Sequence, residues 1–321
     1  MPTLAPVEGA LLARVADALP AEARGGLSAA AFATFERALQ KTSWAAEHRR
    51  RLAWLEGAVV LATAERTRVA ARLDGRSIRI GAIGAPWADP AMDAPAHIAG
   101  LMAALIDAER EDGADLVLLA ASPDRSWAVP DGFEPIPTAD IDIRVVESTR
   151  YGAPMTLVRG GEDRDLAAIV AMGDVRARLS RFHLVRDADH VKYALTRRRL
   201  LAGLAPAGQR EMRFLIAEEG ITAAAYVVIT ATAGEWILEE CGDRDASGAR
   251  VGALLQATVA REPVEKRPQI RGWLPPGFAP RQLTLAPSQP SPPVLFGLGL
   301  SAPLPRLNAD QVLYWLSDLG G

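Results

Sequence analysis

The residue types that carry chemistry of their own fall in a few short stretches. Cys241, the single cysteine, is a potential nucleophile, yet no histidine lies near it in sequence, and a lone cysteine is usually a small buried hydrophobe. Asp243 and Asp245 bracket Arg244; two carboxylates without a third ligand fit a turn held by Asx bonds better than a metal site, and no metal is expected. Arg197, Arg198 and Arg199, with Arg186 and Lys192, could receive a phosphate or an acidic partner, although a short charge run on a helix is more often a solvated face. His97 stands in the first turn of an Ala-rich helical stretch, where it could touch a phosphate; a partly exposed histidine without a ligand is the plainer reading.

The elements that would position these residues come in a repeated order. Val7, Leu11, Leu12 and Val15 share one helical face, as do Phe32, Phe35 and Leu39 after a Gly25-Gly26 break. From Leu52 the period changes to two, and Asp74-Gly75 is a strong hairpin signal between apolar runs. The stretch from Ile78 to Pro137 then reads as strand, loop, helix, strand, short helix and a closing Gly132-Phe133. The second half repeats the order: helices from Glu162 to Met172 and from His190 to Leu204, a meander from Glu211 to Glu240, a helix from Gly248 to Arg261, and a strand from Gln269. Its tail holds one apolar strand, Val294 to Leu300, and a final helix capped by Asn308, both expected to pack on the second domain.

A chain of 321 residues accommodates two domains, with the boundary in the polar, turn-rich stretch from Glu147 to Pro154: residues 1–150 and 151–321. With 49% hydrophobic and 23% charged residues the composition is that of a globular protein, and a net charge of −3 provides no basic field for nucleic acid. The lone cysteine fits a reducing compartment; there is neither a basic-then-apolar leader nor an apolar run long enough for a membrane span, so the expected location is cytoplasmic.

In this order of elements, and most specifically in Gly113 to Leu119 followed by Asp131-Gly-Phe-Glu-Pro-Ile-Pro137, the chain is similar to the GCN5-related N-acetyltransferase family. The resemblance implies an α/β fold with a mixed sheet, in two tandem acyl-CoA N-acyltransferase-like domains of which the second is the more divergent. It also implies transfer of an acetyl group from acetyl-CoA to a small-molecule amine. In that family the pantetheine arm lies between the splayed fourth and fifth strands, with the pyrophosphate on the N-terminus of the following helix, where free N–H groups and the macrodipole favour an anion. The corresponding cofactor-binding positions are Trp87, Ala88, Ala94, Ala96, His97 and Ile98.

Asp93, Ala96 and Ile98 stand where the family has Arg/Gln, Gly and Gly/Ala of its phosphate loop; Ile98 is expected to hinder close approach, and Pro86 removes a backbone donor. Ala128 occupies the position of the family's tyrosine acid, beside Trp127. In the second half the resemblance makes Glu240 a candidate general base, against the plainer reading of a solvated strand-end charge, and Arg250 between two glycines a candidate anion holder. Two functions follow as expectations: an amine acetyltransferase, or a catalytically degenerate binding or assembly module of the same fold.

Overall fold

The computed structural model describes residues 2–121, 127–138, 141–146, 157–287, 294–313, 315 and 318. The first half contains β1 (Thr3–Pro6), α1 (Gly9–Ala18), α2 (Ala29–Gln40), α3 (Ser43–His48), β2 (Arg49–Glu56), β3 (Val59–Leu73), β4 (Arg76–Ala88), α4 (Ala94–Glu111), β5 (Leu116–Ala120), β6 (Glu134–Pro135) and β7 (Ile141–Val145). The second half contains β8 (Leu157–Gly160), α5 (Leu166–Ala177), β9 (Phe182–Leu184), α6 (Ala188–Leu204), β10 (Glu211–Glu219), β11 (Thr222–Ala231), β12 (Glu235–Asp243), α7 (Ala249–Val259), β13 (Gln269–Gly272), β14 (Leu283–Pro287), β15 (Leu295–Gly299) and β16 (Val312–Leu313).

Local chemistry sets the main boundaries. Ser28 and Thr42 cap α2 and α3 through side-chain oxygens, and Asp93 and Asp187 do the same for α4 and α6. At the β3–β4 hairpin Asp74 and Gly75 have φ of 50° and 77°. Two consecutive positive φ values are what a two-residue loop needs to match the twist of its strands.

The chain forms two compact units that are interleaved in sequence. The first comprises Met1–Thr138, Arg181–Val185 and Ser291–Gly321; the second comprises Ala139–Ser180 and Arg186–Pro290. The first unit's sheet runs β1-β2-β3-β4-β5-β15-β6, with β9 and β16 added beyond β3, and the second unit's runs β8-β10-β11-β12-β13-β7-β14. In both, the crossover helix joins a parallel pair, β4 with β5 and β12 with β13. The core of the first unit lies between α4 and the sheet, with Ile98, Leu101, Met102 and Leu105 against Ile83, Val117 and Leu119. The second unit's lies under α5 and α6, with Ile169, Met172, Val191 and Leu195 against Phe214, Ile216, Tyr226 and Val228.

Several expectations are corrected. The apolar tail strand is β15, and it pairs with β5 and β6 in the first unit. Ile141–Val145 pairs with β13 and β14 in the second. The described residues after Asn308 form a 3-10 turn, Ala309–Gln311, and the short strand β16 beside β9, where an α-helix was expected; the end of that expected helix lies outside the described residues. Of the stretch between β5 and Gly132 where a short helix was expected, residues 122–126 lie outside the described residues and 127–131 are not helical; the expected linker from Glu147 to Pro154 also lies outside the described residues.

Candidate active site

Each unit has a notch where a parallel strand pair stops pairing while one strand continues. In the first, β4 and β5 are in register from Ile80–Leu116 to Gly84–Ala120, and β4 then runs on through Ala85, Pro86, Trp87 and Ala88. A bulge makes the divergence: Gly84 pairs with Glu65 and Trp87 with Thr63, so Ala85 and Pro86 together oppose Ala64. Ala85 has φ of 45°, unusual for a residue with a side chain, and it is exposed. In the second unit β12 and β13 pair from Glu235–Gln269 to Leu238–Gly272, and a bulge at Glu239 again carries β12 onward.

Beyond each notch the strand leads to a helix whose N-terminus is already bound to a carboxylate. At α4, the exposed Asp93 accepts one bond from the Ala96 N–H at 3.3 Å, while the His97 N–H donates to the Asp93 carbonyl. Pro95 contributes no donor. At α7 the arrangement is tighter. Asp243, 2% exposed, accepts from the Arg250 and Val251 N–H groups at 2.8 and 3.3 Å, from the Asp245 N–H at 2.8 Å, and from the Arg250 guanidinium at 3.2 Å. Arg250 also donates twice to Glu219, at 2.6 and 3.0 Å, so the anions it holds are the protein's own.

The positions assigned to acetyl-CoA are gathered at the first notch with unequal exposure. Trp87 is half-buried and Ala88 buried on the diverging segment; Ala94 is the buried first residue of α4; Ala96 is exposed and His97 half-buried in its first turn. Ile98 is 2% exposed and packs with Ala88, Leu101 and Met102. Its side chain therefore belongs to the core, which corrects the expectation that it hinders a ligand at the helix end. Ala128 is exposed, and neighbouring Trp127 packs on the same core.

Glu240 is neither solvated nor at a strand end. It is 2% exposed, receives the Arg186 guanidinium on both oxygens at 2.8 and 3.0 Å, and accepts the Tyr226 hydroxyl at 2.6 Å. Gly242 makes this possible, because a side chain there would collide with the Tyr226 ring. Burial by itself raises a carboxyl pKa, but the Arg186 charge and the hydrogen bonds outweigh it, and Glu240 titrates below the ordinary range. Burial and the Glu240 charge push the Tyr226 hydroxyl well above its usual value, and the same two causes raise Cys241. The arginine run is divided: Arg197 and Arg198 are buried, with Arg198 paired to Glu239 at 2.6 Å, whereas Arg199 and Lys192 lie on the solvated face, where Lys192 pairs with the exposed Asp163 at 2.8 Å. The reading of Asp243 and Asp245 as an Asx turn agrees with the bonds their carboxylates accept, from the N–H groups of Asp245 and Ser247 respectively.

A second buried ionic cluster, in the first unit, escaped the sequence reading. Arg49 donates to Glu36 at 2.8 and 3.0 Å and also to Glu65; Arg51 reaches Glu36 at 3.1 Å and Glu65 at 3.3 Å. Arg51 also lies over the Phe32 ring at 5.3 Å. Burial opposes ionisation of Glu36, but the two guanidinium groups hold its pKa at about 2. The signal was present as Arg49 and Arg51, two residues apart on a strand and thus on one face.

The comparisons with known proteins agree with this topology. A probable N-acyltransferase from Enterococcus faecalis V583, of otherwise unknown function, superimposes with a TM-score of 0.63 at 11% identity, over 94% of this chain and 73% of that one. A GCN5-related N-acetyltransferase from Kribbella flavida gives 0.60 at 18% identity over 94% and 72%. N-myristoyltransferase from Saccharomyces cerevisiae, with bound myristoyl-CoA, gives 0.54 at 9% identity over 84% and 76%. No protein-family model and no curated protein matches the sequence. The fold is that of the GCN5-related N-acetyltransferases, a mixed α/β fold, and the main sheets of the two units share one strand order. Among the described residues, no helix is long and apolar enough to cross a membrane, and no group of metal-binding side chains occurs.

Proposed function

We propose that this protein is an acyl-CoA-dependent N-acyltransferase whose acyl donor, acetyl-CoA in the simplest case, binds at the notch of the first unit. In that reaction a neutral amine attacks the thioester carbonyl, the C–S bond breaks, the amide forms, and the amine proton ends on the CoA thiol. The observation that carries the reading is the difference between the helix ends. Asp93 is exposed and holds α4 by one long hydrogen bond, so its side chain can rotate away from an arriving pyrophosphate; Asp243 is buried and four donors fix it at α7. The diverging segment from Ala85 to Ala88 would receive the pantetheine arm, and the first turn of α4 the phosphates. The acceptor is a small amine.

Ala128 supplies no acid for the thiolate, so catalysis rests on positioning, and turnover is expected about 10²- to 10⁴-fold below that of an enzyme with a placed general acid. The same residue favours a second reading, a catalytically degenerate binding or assembly module of the same fold whose acyl-CoA cleft is closed. Calorimetry with acetyl-CoA, followed by thiol release with a panel of amines, separates the two. Binding with amine-dependent release supports the transferase and refutes the module; absence of binding at millimolar acetyl-CoA defeats the transferase and leaves the module.

A further inference from the structure

The strand orders of the two units contain an exchange. Between β5 and β6 lies β15, antiparallel to both, and between β13 and β14 lies β7, again antiparallel to both. In sequence, however, β7 follows β6 and β15 follows β14. Each unit's final short strand is thus continued in sequence by the strand that the other unit's sheet uses. Side-chain pattern fits each strand to its slot. β15 is Leu-Phe-Gly-Leu-Gly, apolar on both faces, beside a β5 buried at every residue. A side chain at Gly297 would come within 2.7 Å of Leu304 and 3.1 Å of Ile136. β7 alternates Ile-Asp-Ile-Arg-Val; Ile143 is buried, and Asp142 lies in register with Arg271 of β13. In the slot beside β5, Asp142 and Arg144 would bring charge into a site built for apolar side chains.

We infer that the two units have traded equivalent strands, and that β15 is a strap through which the C-terminal segment controls the order of β5, the wall of the first notch. The strap itself stands on the pairing alone; its coupling to ligand also rests on the acyl-CoA reading above. Linkage makes that coupling reciprocal: a ligand that needs an ordered β5 holds β15 down, and loosening β15 weakens the ligand.

Hydrogen exchange followed by mass spectrometry on the full chain tests this with crossed variants. Leu295→Ala in β15 is expected to speed exchange about tenfold or more across Leu116–Ala120 of β5 and to leave Gln269–Gly272 of β13 unchanged. Ile143→Ala in β7 is expected to do the reverse. If either alanine variant fails to fold, Phe296→Leu and Ile143→Val give the same crossed pattern with smaller changes. The uncrossed pattern, or equal changes in both strands from either variant, would overturn the trade. With acetyl-CoA present, exchange across Leu295–Gly299 should slow together with Leu116–Ala120, and slowing of β5 alone would overturn the strap. No slowing of either strand would count against acyl-CoA binding, while the crossed pattern would continue to test the trade.

Discussion

The two notches are made the same way and filled differently. In both units a bulge on the fourth strand of the shared order turns it away from its parallel neighbour, and in both a carboxylate meets the next helix. At α4 that carboxylate is a surface cap; at α7 it is a buried member of a network joining Arg250 and Glu219, and Glu240 on the same strand, β12, is held by Arg186 and by Tyr226 of β11. One scaffold can thus leave the carboxylate at a helix end on the surface or bury it in a network of the protein's own side chains. Burial of the carboxylate, rather than its presence, makes the difference, because removing a well-bonded buried charge costs far more than rotating an exposed one.

The contrast can be broken most forcefully at Arg186. Arg186→Ala would leave Glu240 buried with its charge uncompensated and should cost about 3–5 kcal/mol in denaturant unfolding; a loss under 1 kcal/mol would mean that the cluster is solvated in solution. The first unit's cluster should show in acid. Glu36 has a folded pKa of about 2 against an ordinary 4.5, so between those values the unfolded chain binds the extra proton. Its stabilisation, roughly 3 kcal/mol, is complete above that ordinary value and fades as pH falls toward the folded one. A pH series of unfolding midpoints for Glu36→Gln should therefore be flatter than wild type in that window. Asp243→Asn removes charge from the α7 network and should cost about 1.5–3 kcal/mol, seen as a lower midpoint at unchanged slope. Asp93→Asn, which keeps a cap and removes only an exposed charge, should change stability by less than about 1 kcal/mol.

Much of the scaffold was legible in the sequence because its signals are local. The Asp74-Gly75 turn, the switch from helical to alternating period near Leu52, and the strand–helix–strand stretch from Ile78 to Ala120 each depend on near neighbours. The destinations of β7 and β15 were not legible, since an isolated five-residue apolar or alternating run specifies a strand and not its partner. Buried charge was misread for a related reason. Glu240 and Arg198 look solvated one residue at a time, and only the fold shows Glu240 facing Arg186 and Arg198 facing Glu239. Ile98 illustrates helix phase: its position in the loop pattern suggested the ligand side, while the core stripe of α4 claims it.

The central claim, that the first notch accepts acyl-CoA and the second is closed by Asp243, is tested most directly by titrating acetyl-CoA calorimetrically into wild type, Asp93→Asn and Asp243→Asn. The account predicts one site per chain, with affinity about 2- to 5-fold tighter in Asp93→Asn as the repelling charge at the α4 end is removed, and unchanged in Asp243→Asn. Absence of binding, or an affinity that moves with Asp243 and not with Asp93, would contradict it.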